Sequence, residues 1–206
     1  MKIKSLNYIM ISGFFGFLSI VADQYSYQLE KSISLLEYEQ GKQISLSEYG
    51  TSINGIAVNM QATLQSQYDH YYETNISEKE LAESFNNLKF IFSRQIENLS
   101  ENDLFVLVAP ESLNATVQKN LGFSSKEQNL ENDLYVFYDN FWDDLAFMIQ
   151  SGNKLSSNAL GQILDLFDQI SDLRFYRQVS LITAICSSFL SLYFIFVFFK
   201  RIIRKN

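Results

Sequence analysis

One histidine, His70, stands beside Asp69, and a lone imidazole cannot build the paired-ligand chemistry that helical proteins use to hold metals. Bundle metal sites take Glu-x-x-His from two helices, and here Gln67 occupies the place of that Glu. With no second histidine, no zinc or iron set can be completed. A polar residue at a helix end is the simpler account of His70. Acids are far more numerous. Glu127, Glu131, Asp133, Asp139, Asp143 and Asp144 cluster around Lys126, and Asp139 and Asp143 are one helical turn apart. Like charges at that spacing weaken a helix slightly, so the pair suits a cation or a basic partner unless it is simply a solvated face. The spacing lacks any calcium-loop pattern, and two acids on one helix define no glycosidase cleft. Trp142, next to Phe141, either anchors a partner or ligand or closes the core. Phe105, in the run that ends at Pro110, is the other candidate for such a contact. There is no Gly-rich phosphate loop, Gly-x-Ser-x-Gly turn or paired-histidine signature. No nucleophile and base stand together, so neither an enzyme nor a bound cofactor is expected.

Charge says more than chemistry does. All 23 acidic residues lie between Asp23 and Asp172, and residues 23–178 hold them together with ten of the 16 basic ones. Lys2 and Lys4 precede this stretch and Lys200, Arg201, Arg204 and Lys205 follow it, each set against a charge-free apolar run. Basic flanks stay cytoplasmic far more often than they cross, so the pattern predicts two membrane crossings with a domain held outside between them. The acidic stretch repels nucleic acid and suits a cationic partner or plain solubility. Cys186, the only cysteine, lies inside the second apolar run. No intrachain disulfide, thiolate zinc site or redox pair can form, and a lipoprotein anchor in the first run is excluded. A disulfide-free outer domain leans toward a bacterial envelope.

Val179 to Phe199 is 21 residues without a charge, about 31 Å as a helix, which matches the hydrocarbon thickness. Residues 1–22 form the shorter apolar head. Tyr8 would sit near one interface, with Tyr25 and Tyr27 near the other. A retained anchor and a cleaved signal peptide ending at Ile20-Val21-Ala22 both fit it. Arg174 and Arg177 would then lie at the outer membrane edge, where Asp172 and headgroups can pair with them. Small residues recur at four-residue steps: Ser12 and Gly16 in the head, Ser180, Ala184 and Ser188 in the tail. Such ridges let helices approach in lipid, either within the chain or across a dimer, although they also match ordinary membrane composition.

Between the runs, residues 23–178, the periodicity is helical. Ile53, Ile56, Met60, Leu64, Tyr68 and Tyr71 form one stripe, preceded by Leu29, Ile33 and Leu36, with Gly41, Gly50 and Gly55 as places for a bend. Leu81, Phe85, Leu88, Phe92, Ile96 and Leu99 form a second, opened by a Ser77–Glu80 capping box. A third runs from near Ser125 through Leu134, Phe141 and Met148 to a close at Ser151-Gly152-Asn153. A fourth starts near Ser157 and enters the second apolar run without a breaker. Residues 103–122 fit least well: Leu104 to Ala109 favours a buried strand-like connector or a helical turn ended before Pro110. Pro110 would suit the first turn of a further helix. Asn75, Asn98 and Asn114 match the glycosylation pattern, at a frequency expected by chance.

The fold class expected is therefore all-α, with two transmembrane helices flanking an antiparallel bundle of about four helices. This arrangement resembles the helical outer sensor domains of bacterial chemoreceptors and sensor kinases. The resemblance spans nearly the whole chain and rests on architecture. It implies a sensor whose output is carried by another protein, because the chain has only a short basic tail, 200–206, after the second run. The expected function is a membrane-anchored sensor or interaction module with a protein partner or a homodimer. The alternatives are a small-ligand receptor and an accessory subunit of a transporter or channel.

Overall fold

The computed structural model describes residues 2–73, 76–113 and 130–204, and these are almost entirely helical, with no strand among them. Helix α1 spans Lys2–Glu73, α2 spans Glu78–Ser100 and α3 spans Leu130–Ile203. A 3-10 turn, Asp103–Leu107, follows α2. The Asn75 and Asn114 sequons, Lys126, Glu127 and the expected helix start near Ser125 lie outside the described residues.

The single proline, Pro110, lies outside the three long helices, so nothing in them removes a backbone donor or clashes with the preceding turn. Helix α2 begins where the capping box predicts. The Glu80 amide donates to Ser77 Oγ at 3.3 Å, and the Ser77 amide donates to Glu80 Oε2 at 3.1 Å. The Ser77 hydroxyl, which donates to Glu80 Oε2 at 2.9 Å, and then the Ser77 amide hold the Glu80 carboxyl below its ordinary value. The buried face of α2 is Leu81, Phe85, Leu88, Phe92 and Ile96, the stripe read from its spacing.

After α2, Asn102 accepts from the Leu104 amide at 2.9 Å and turns the chain into the 3-10 helix. The strand-favouring run Leu104–Ala109 is thus a helical turn, because a local cap and two core anchors outweigh β propensity. Phe105 and Val108 are buried, whereas Val106 and Leu107 face outward. Pro110 then accepts from the Leu113 amide at 3.1 Å as residues 111–113 turn helical.

Ser151-Gly152-Asn153 does not end a helix. Contrary to the sequence expectation, the third and fourth stripes are one continuous α3. The glycine serves helix packing here, as described below, and keeps an ordinary helical backbone without positive φ.

The chain forms two compact units: residues 43–161, and residues 1–42 together with 162–206. In the 43–161 unit, Ile53, Met60 and Leu64 of α1 meet Leu81, Phe85 and Phe92 of α2 and Leu134, Phe141, Leu145 and Met148 of α3. Phe105, Val108 and Leu113 complete that core. Its aromatic centre stacks Phe137 on Phe141 at 5.5 Å and sets Phe92 at 5.1 Å from Phe141.

In the other unit, α1 and α3 meet along one seam. Sheltered positions on α1 recur at alternating steps of four and three: Tyr8, Ser12, Phe15, Ser19 and Ala22, then Ser26, Leu29, Ile33 and Leu36. On α3 the same rhythm gives Ile163, Leu166, Ile170 and Leu173, then Arg177, Ser180, Ala184, Ser187 and Ser191. A mean step of 3.5 residues keeps one stripe of each helix turned toward its partner over many turns.

Candidate functional site

The two ends of that seam are built oppositely. Along residues 29–36 and 163–173 it is Leu and Ile, the arrangement of a helix pair in water. Along residues 12–22 and 180–191 it is mostly Ser, Gly and Ala, with Phe15 among them, while most of the large apolar side chains point away from it. Ser12 and Ser180 are 6% and 7% exposed, whereas Met10, Phe17 and Phe189 are 66%, 67% and 69% exposed. Both helices of this part are long and apolar enough to cross a membrane by length and composition.

Hydroxyls stitch the small-residue half together. Ser12 Oγ donates to the Ser191 carbonyl at 3.1 Å, and Ser191 Oγ donates back to the Ser12 carbonyl at 3.0 Å. Ser19 Oγ donates to the Ala184 carbonyl at 3.0 Å and lies 2.7 Å from Ser188 Oγ. Ser180 Oγ donates to the Ala22 carbonyl at 2.6 Å. A methyl on Gly16 would lie 3.5 Å from Ser191 Oγ. Ser12, Gly16, Ser180, Ala184 and Ser188 therefore sit on one intrachain contact. The four-residue reading of the sequence missed Ser19, Ser187 and Ser191. Counting by alternating fours and threes would have found them.

Where this seam changes character, Arg177 occupies a seam position. Its Nη2 lies 3.2 Å from Glu30 Oε1, and Arg174 Nη2 lies 2.6 Å from Glu37 Oε1. Both arginines thus pair with α1; the sequence had looked to Asp172.

Phe105, Trp142, Asp139 and Asp143 belong to the 43–161 unit, in different settings. Phe105 is part of the core. Trp142 is half-buried against that core and stacks on Tyr138, whose ring stacks in turn on Tyr68 at 4.2 Å. The Tyr138 hydroxyl donates to Gln65, and burial, helped by the Asp69 charge, pushes its pKa up. Asp139 and Asp143 face outward, while Asp144 is buried and accepts from the Ser112 hydroxyl. His70 is exposed in the last turn of α1. Among the described residues no group of three or more metal-ligating side chains gathers.

Sequence reasoning also passed over a backbone crossing. A methyl on Gly50 would lie 2.6 Å from the Gly152 carbonyl oxygen, and one on Gly152 would lie 2.8 Å from the Gly50 carbonyl oxygen. Ser47 and Thr51 of α1 hydrogen-bond with Ser156 at 3.2 and 3.1 Å, and Asn54 donates to Asn153 at 2.6 Å. The signal was present in the sequence as Gly50, read only as a place for a bend, and Gly152, read as the close of a helix.

No family model matches the chain, and no curated protein or solved structure matches it.

Proposed function

We propose that the chain is a membrane-anchored helical module whose two apolar segments pack as an antiparallel hairpin in the bilayer. Its acidic residues 23–178 then form a bundle outside, and it acts through a partner protein rather than by catalysis. The observation that carries this reading is the inversion of the α1–α3 seam. In water, large apolar side chains belong inside a helix pair. In lipid, apolar burial gives no drive between helices, and small residues with hydrogen bonds hold them together. Residues 12–22 and 180–191 follow the second rule, while residues 29–36 and 163–173 follow the first. The basic flanks at both ends support cytoplasmic termini, and the disulfide-free acidic domain supports a bacterial envelope.

A partner is favoured over a small ligand by the fate of the aromatic residues. Phe105 and Trp142 pack on their own core, whereas Val106 and Leu107 present apolar side chains on the 3-10 turn. A sensor or an accessory subunit of a membrane complex fits this arrangement, with its output carried by the partner.

The test uses full-length protein in cells, with Cys186→Ser and one reporter at a time: Ile3→Cys, Phe90→Cys or Lys205→Cys. An impermeant thiol reagent should label only the Phe90 reporter from outside, and the membrane-extracted protein should keep its full mass. Labelling of either terminal reporter, or a mass beginning at Asp23, overturns the hairpin.

A further inference from the structure

The point where the seam changes from Leu and Ile to Ser and Ala is also where a charged cleft opens. It has a volume of about 710 Å³, and its lining includes Asp23, Tyr27, Glu30, Lys31 and Arg177. Two acids and two bases face it, so the cleft has no net sign and would reject neither end of a zwitterion. One donor of the arginine that lines it is unused. Arg177 Nε is shielded from solvent and has no acceptor among the described residues, although Nη2 of the same guanidinium pairs with Glu30. A shielded N–H without an acceptor is costly, so a turn of the partly exposed guanidinium that gives Nε an oxygen is favoured.

A second cavity, about 480 Å³, begins where the first ends, since the two share Asp23 and Leu181. Its further walls are apolar and include Ile20, Ile185, Phe189 and Leu192. A charged, neutral-sum cleft that continues into an apolar groove matches one class of molecule: a headgroup on a hydrocarbon chain.

We propose that this place binds a zwitterionic phospholipid with a primary ammonium, an ethanolamine-type lipid, at the outer edge of the hairpin. A phosphate oxygen accepts from Arg177 Nε, the ammonium lies against Asp23 and Glu30, and one acyl chain runs along Leu181, Ile185 and Phe189. An anionic glycerol headgroup brings no cation to Asp23 and adds none to the Arg177 that Glu30 already pairs with. A choline headgroup cannot donate hydrogen bonds to them. The site rests on the membrane reading above and adds a ligand to it. Arginine suits the role because its planar fork engages a carboxylate and a phosphate at once in a fixed geometry, which the rotatable ammonium of a lysine does not provide.

The experiment reconstitutes the full chain in nanodiscs holding equal parts of ethanolamine, choline and glycerol phospholipids, and identifies the lipid retained by native mass spectrometry. The ethanolamine lipid should be retained several-fold over the other two. Arg177→Lys keeps the charge but removes Nε, and should reduce that preference toward parity; Asp23→Asn should weaken discrimination against the glycerol lipid. Soluble phosphoethanolamine at millimolar concentration should not displace the lipid, because the apolar groove holds its chain. Displacement would assign the cleft to the free headgroup and overturn a lipid site. Parity among lipids in the wild type, or an unchanged preference in Arg177→Lys, also overturns it. Flotation with vesicles is the separate control. Protein that floats without selectivity removes only the lipid site, whereas protein that does not float removes the membrane reading with it.

Discussion

Glycine has opposite meanings at neighbouring positions of α1. At Gly50 a methyl group would run into backbone atoms of α3, the Gly152 carbonyl at 2.6 Å and the Ser156 amide at 2.9 Å, and backbone cannot swing away as a side chain can. Gly50→Ala should therefore separate the helices and destabilise the protein by about 1–3 kcal/mol, the usual cost of overpacking. At Gly55 the same methyl meets nothing within 4 Å. There the gain in helix propensity should dominate, and Gly55→Ala should stabilise by about 0.5–1 kcal/mol. Urea unfolding of the two variants in detergent, followed by circular dichroism, checks the pair. Equal shifts of the same sign would remove the crossing from the account. Phe141, fully buried and ringed by Phe92 and Phe137, should cost about 3–5 kcal/mol when cut to Ala in the same assay.

Single helices explain the local starts and stops. Ser77→Ala should cost about 1 kcal/mol by freeing an amide at the first turn of α2. The partner residue gives the same cap a pH dependence. Folded Glu80 is held below its ordinary value of 4.5, so its stabilising contribution is present above about pH 4.5 and is lost as pH falls through the lowered value. Proton resonance shifts of the Ser77 and Glu80 amides, followed from pH 6 to pH 3, should move together with an apparent pKa below 4.5. In Glu80→Gln that transition should vanish. In the α1–α3 seam, Ala184→Leu places a large side chain where a backbone carbonyl accepts from Ser19, and should force the apolar halves apart. Disulfide trapping between Ser12→Cys and Ser191→Cys, in a Cys186→Ser background, should fall several-fold. Undiminished trapping would mean that the small residues are not what brings these helices together.

For the whole molecule the decisive quantity is the sign of the ends. If the basic flanks orient the chain, replacing Lys2, Lys4, Lys200 and Arg201 by Gln should give a mixed population, with the Phe90→Cys reporter partly protected from an outside reagent. A fully accessible reporter would assign orientation to something other than these charges. The helical class, the α2 stripe and the capping box were legible because each depends on residues within a few positions of one another. Phe85 and Leu88 are core by spacing alone, and Ser77 with Glu80 is a contact over three residues. The candidate contacts were less legible. Trp142 and Phe105 look alike as exposed anchors or core residues until their neighbours are known: Trp142 stacks on Tyr138, itself stacked on Tyr68 of α1, and Phe105 joins the core shared by all three helices. Asp144 reads as one acid among six until Ser112 is placed beside it.

By itself the sequence determined the composition of each helix face, the Ser77 cap of α2 and the segregation of charge. These are local or additive properties, and a helix expresses them whatever it packs against. Only the tertiary structure decided what the small residues were for. Gly152 is a helix breaker by local rules, yet the close approach of Gly50 makes it a crossing inside a continuous α3. Ser12, Ser19 and Ser180 are unremarkable polar residues until carbonyls more than 150 positions away accept their hydroxyls. The free energy of such contacts depends on distance in space, which no window along the chain contains.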